Sequence, residues 1–72
     1  MQRRTLTEKQ QRILDFVRLY LKTNGMPPTR KEIAARFRFD SLNSAQQHLR
    51  AIEKKGYIRL LNNSISRGIQ IL

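Results

Sequence analysis

A mainly α-helical domain of three helices closed by a C-terminal two-stranded β-hairpin, an α+β fold, is what this sequence predicts. Three observations carry that expectation. Apolar residues recur at helical spacing in three segments, each opened by a Ser or Thr suited to a helix N-cap. Beyond Gly56 the periodicity switches to strict alternation, the mark of strands. The length, 72 residues with 39% apolar and 28% charged and no cysteine, fits a single small domain over residues 1–72 whose core must be continuous because no disulfide can support it.

Residues 1–6 carry Arg3 and Arg4 without periodicity and read as a basic N-terminal arm. The first helix is expected over 7–24. Thr7 with Gln10 forms a capping box, Ile13, Val17 and Tyr20 recur on one face beside Leu14, Phe16 and Leu21, and Asn24-Gly25 stops the run. Met26-Pro27-Pro28 must be extended, because proline disfavours helix in the residue before it. A second helix over 29–37 opens on the box Thr29…Glu32 and turns Ile33, Ala34 and Phe37 inward. After the turn Arg38-Phe39-Asp40, Ser41 caps a third helix over 41–55, whose cationic end, Lys54-Lys55, suits the negative helix terminus. A hairpin over 57–72 follows, with Ile58, Leu60, Ile69 and Ile71 expected to pack on the helices, since an isolated hairpin is barely stable.

Charge directs the functional reading. Fifteen Lys and Arg against five acids give a formal charge of +10, which draws a compact body to polyanions, either nucleic acid or an acidic membrane face. Apolar runs as short as Ile13-Leu14 and Leu60-Leu61 rule out a membrane span or signal segment. Two helices joined by a short turn suggest a helix-turn-helix, whose second helix enters the major groove. The third helix has a face for that purpose. Ala45, Leu49 and Ile52 cluster on one side with Leu42 near their edge, and Asn43, Gln47, Arg50 and Lys54 lie opposite, flanked by Ser44 and Gln46. Amides read base edges and cations neutralise phosphates. Glu53 is the one acid after Ser41.

These residues carry a family resemblance. The run Gly25-Met26-Pro27-Pro28-Thr29-Arg30-Lys31-Glu32-Ile33-Ala34 resembles the signature of the N-terminal DNA-binding domain of the LexA repressor family. Phe39, Ser41-x-Asn43, His48-Leu49, Lys55-Gly56 and Ser66-Arg67-Gly68-Ile69 match further, over Leu6 to Leu72 with one extra residue in the wing. The resemblance implies a winged helix-turn-helix that represses DNA-damage (SOS) genes by covering palindromic double-stranded operators. It implies base readout by Ser41, Asn43, Ser44, Gln46 and Gln47. Contacts to the DNA backbone are expected from Thr29, Arg30, Arg50, Lys54, Lys55 and Arg67. The chain departs from the family where Gln46 and Gln47 resemble glutamate positions, Ser44 an alanine, Leu42 a proline and Arg38 a glycine. Full-length members continue into a peptidase-like domain that cleaves its own linker and supplies dimerisation. Nothing in these residues provides a serine–lysine dyad, so the chain is expected to be no enzyme, monomeric alone, and dimeric on DNA or through that further domain. It is either a DNA-binding fragment or a stand-alone relative.

Other residues carry blander expectations. His48 lacks companions for a metal site and reads as a half-buried hydrogen-bonding histidine, so neither metal nor cofactor nor small-molecule ligand is expected. Phe16, Tyr20 and Phe37 read as packing residues, and Tyr57 as alternating outward. Asp15, Glu32 and Asp40 sit on different elements and form no carboxylate pair. Asn62-Asn63-Ser64 matches a glycosylation sequon that has no meaning without secretion. The expected location is the bacterial cytoplasm, at the nucleoid and away from membranes. Two other readings stand beside operator binding: a winged helix making protein contacts through Leu19, Leu42 and Leu61, and a small regulator unrelated to DNA damage.

Overall fold

A computed structural model describes residues 4–61 and 67–72. The order is α1 (Glu8–Asn24), α2 (Arg30–Phe37), α3 (Leu42–Lys54), β1 (Ile58–Leu60) and β2 (Ile69–Ile71). Each helix starts where a side chain replaces a missing backbone partner. Thr7 and Thr29 accept from the N–H groups of Gln10 and Glu32, whose side chains return the bond to the cap backbone, closing both capping boxes. Ser41 accepts from the Ser44 N–H. These three residues are extended caps outside the helices they open, which is why the helices begin one residue later than the expected spans.

The helix ends differ in cost. Gly25 closes α1 at φ 76°, a conformation glycine adopts freely. Arg38 closes α2 at φ 57°, the one non-glycine residue with positive φ among the described residues. Its N–H reaches the Ala34 and Ala35 carbonyls, and the N–H of Phe39 reaches Ala34 at 2.9 Å. A side chain in this conformation costs roughly 1–2 kcal/mol. Arg38 thus holds a left-handed position where the resemblance places a glycine.

The core takes most of the residues the periodicity indicated: Ile13, Leu14 and Val17 from α1, Ile33 and Ala34 from α2, Ala45, Leu49 and Ile52 from α3, and Ile58 and Ile69 from the hairpin, whereas Tyr20 and Leu21 of the expected α1 stripe are half-buried outside it. Helix α3 packs on α1, α2 and β1, so it is held on its whole inner side. The strands pair antiparallel with Ile58 opposite Ile71 and Leu60 opposite Ile69. Phe16, Phe37, Phe39, Leu60 and Ile71 are half-buried around this core.

Three expectations change. Tyr57 does not point outward. It packs against the core, and its hydroxyl donates to the Arg4 carbonyl at 2.7 Å. The arm is accordingly tied down at residues 4–6, because Leu6 also packs on the core and Lys55 donates to the Thr5 carbonyl. Leu42, placed near the edge of the inward stripe, is instead 54% exposed at the first position of α3, three residues before the fully buried Ala45. Arg3, Ser66 and the sequon Asn62-Asn63-Ser64 lie outside the described residues.

Candidate nucleic-acid interface

Helix α3 separates its chemistry by face. Ala45, Leu49 and Ile52 are completely buried, whereas Asn43, Gln47, Arg50 and Lys54 are exposed, with Ser41 exposed at the cap and Ser44 and Gln46 half-buried beside them. Amides and hydroxyls occupy the first two turns and cations the last. The single acid of α3 lies at the edge of this surface and is engaged there: Glu53 Oε2 accepts the Leu60 N–H at 2.7 Å. A carboxylate that would repel phosphates thus ties the hairpin to the helix. Between them lies an open groove of about 430 Å³, lined by Gln46, Arg50, Glu53, Lys54, Leu60 and Leu61.

The second tie runs through Glu32. Its Oε1 accepts from the Thr29 N–H at 2.8 Å and from Arg67 Nη1 at 2.8 Å, and its Oε2 accepts from the Tyr20 hydroxyl at 2.7 Å. The Thr29 N–H, the Tyr20 hydroxyl and the Arg67 guanidinium stabilise the charged carboxylate and hold its pKa at about 2, below the ordinary 4.5. Arg67 Nη1 also donates to the Pro27 carbonyl at 2.9 Å. One carboxylate therefore joins α1, the cap of α2 and the loop end of the hairpin, and through Arg67 the Pro27-Pro28 connection as well.

The six residues expected at the DNA backbone consequently fall into two groups. Arg50 and Lys54 are exposed on α3 and form no ion pair with any described residue. Arg30, Lys55 and Arg67 are engaged within the domain. Arg30 Nε donates to Gln46 Oε1, and its Nη2 is shielded from solvent with no described partner. Lys55 Nζ donates to Gln10 Oε1 at 2.6 Å as well as to the Thr5 carbonyl. Thr29, half-buried, has its hydroxyl occupied by the Glu32 N–H at 3.0 Å.

His48 lies flat on Phe39, with ring centroids 4.7 Å apart and planes 11° from parallel. Its Nδ1 donates to the Ser44 carbonyl at 2.8 Å, because a carbonyl can only accept. That is the half-buried hydrogen-bonding role expected of it. Sequence reasoning did not find Glu32 and Glu53 as tertiary anchors. The capping box gave Glu32 a local role, but no local pattern signals its bond to Arg67.

Three helices with the third presenting a polar, acid-free face, and a hairpin fastened to its flank, define the winged helix-turn-helix class of DNA-binding domains. The sequence pattern of the LexA DNA binding domain matches residues 3–68, and the chain belongs to that family. It is 53% identical over 72 residues to the LexA repressor of Actinobacillus pleuropneumoniae serotype 5b and 51% identical over 72 residues to that of Haemophilus ducreyi, in both cases across 100% of this chain. Identity to the LexA repressor of Alcanivorax borkumensis is 57% over 67 residues, 93% of this chain. The chain spans 34% of the length of the first two relatives and 32% of the third. Among the described residues no helix is long and apolar enough to cross a membrane, and no group of three His, Cys, Asp or Glu side chains is placed to hold a metal ion.

Proposed function

We propose that this chain is the operator-recognition domain of a LexA-like transcriptional repressor of the DNA-damage type, acting by binding double-stranded DNA and not by catalysis. The observation that carries the proposal is the exposed face of α3, with amides and hydroxyls where base edges would lie, cations behind them, and its one acid engaged with the hairpin. Ser41, Asn43, Ser44, Gln46 and Gln47 read bases from the first two turns. Thr29, Arg50 and Lys54 meet phosphates, while Lys55 and Arg67 hold the frame that presents them. Protein contact through Leu19, Leu42 and Leu61 gains no support, because these leucines are dispersed over α1, α3 and the end of β1.

The unit is a monomer at micromolar concentration, and two copies meet on a palindromic site. It works on the bacterial nucleoid, within the cytoplasm. Selection of bound sequences from random duplexes tests the whole reading. The expected result is a palindrome whose half-sites lie about one helical turn apart, the spacing that presents two recognition helices to one side of the duplex. Enrichment of no sequence would overturn it.

A further inference from the structure

Arginine can only donate, so a contact from Arg30 Nε fixes which end of the Gln46 amide is oxygen. The amide cannot turn over without setting its NH2 group against a guanidinium. Its oxygen therefore faces α2, and Nε2, which bonds no described residue, is the end left without a partner. Gln46 lines the open groove between α3 and the hairpin, together with Arg50, Glu53 and Lys54. Arg30 itself is poorly placed for a phosphate: its Nη2 is buried, and the guanidinium is turned toward α3.

We propose that Arg30 is a positioning residue for specificity, which presents Gln46 to DNA by its donor end and so selects a base with major-groove acceptors over cytosine. This rests on the operator-binding reading above. The chemistry follows from the groove edges. Guanine offers O6 and N7 and thymine offers O4, all acceptors, whereas cytosine offers only its N4 donor. An amide free to turn accepts from cytosine as readily as it donates to guanine. An amide anchored by Arg30 meets cytosine donor to donor. The cation beside the oxygen also polarises the amide and strengthens the outward N–H.

The test has an arm without DNA and an arm with it. In the free protein, Gln46→Ala shifts the Arg30 Nε–H resonance in a ¹⁵N-correlated spectrum, and an unchanged resonance overturns the proposal. With DNA, the base pair read by Gln46 is the one whose preference changes in Gln46→Ala, measured on single-base variants of the selected site. There the wild-type chain disfavours cytosine against guanine by about tenfold, the order of a single mismatch. Arg30→Met removes the anchor, and that ratio collapses toward one while binding to the guanine site changes little. Arg30→Lys, which keeps a donor, restores most of the ratio. Uniform weakening of Arg30→Met on every sequence with the ratio intact would make Arg30 a phosphate contact and sink the proposal, as would a Gln46→Ala chain with unaltered preferences. In either case specific binding by the wild-type chain still stands. Failure of the wild-type chain to select any site is the separate failure of the operator-binding reading. Thermal melts of each variant confirm that the compared proteins are folded.

Discussion

Arg67 Nη1, in the turn that enters the second strand of the hairpin, donates to Glu32 Oε1 in the second helix across 2.8 Å and 35 residues of sequence. The pair is about one third exposed on either side, a setting in which an isolated ion pair contributes little. Here the same carboxylate also closes a helix cap and accepts a tyrosine hydroxyl, so losing its charge disturbs three elements together.

Stability should fall with acid through this group. Its folded pKa of about 2 lies below the ordinary 4.5. Its contribution is therefore complete above the ordinary value and is lost as pH drops from there toward about 2. Thermal melts between neutral and strongly acid pH should show Tm declining over that window. Glu32→Gln should start lower at neutral pH and decline less. Parallel curves for the two proteins would mean that another carboxylate carries the acid sensitivity.

Two left-handed positions predict opposite substitutions. Arg38→Gly should stabilise the domain by roughly 0.5–1 kcal/mol, relief of backbone strain being partly offset by the freedom glycine gains when unfolded. Gly25→Ala should destabilise it by about 1 kcal/mol although a Cβ there meets nothing within 4 Å, because φ of +76° is itself the obstacle. Urea unfolding of both variants measures the pair.

Salt dependence separates free from engaged cations. Arg50→Ala and Lys54→Ala should each flatten the slope of log affinity against log salt by about 0.9. Lys55→Met should leave the slope unchanged, since its ammonium is held by Gln10 and the Thr5 carbonyl. Equal flattening in all three would place Lys55 at a phosphate.

Leu49 is fully buried where α3 meets the rest of the core. Truncation to alanine costs about 2–5 kcal/mol, and a core in this size range rarely supplies more than ~3–5 kcal/mol. Leu49→Ala should therefore be largely unfolded at room temperature by circular dichroism. A sharp native-like melt would mean that the site collapses around the missing atoms.

The helices, their caps and the inward stripes were legible in the sequence because each depends on residues three or four positions apart. Thr7 with Gln10, Thr29 with Glu32, and the spacing of Ala45, Leu49 and Ile52 specify their geometry without help from elsewhere. The polar face of α3 was legible for the same reason, being the complement of the apolar stripe. Availability of the charges on that surface was not. Arg50, Lys54, Lys55 and Arg67 are equivalent cations in a sequence, yet two pair with no described residue and two are engaged by groups brought close only when the chain folds. Glu53 is held by the hairpin because the Leu60 N–H lies within its reach. A hydrogen bond requires a partner at about 3 Å, and for a long side chain on a small domain that partner sits wherever packing puts it, at a distance along the chain that no local pattern encodes.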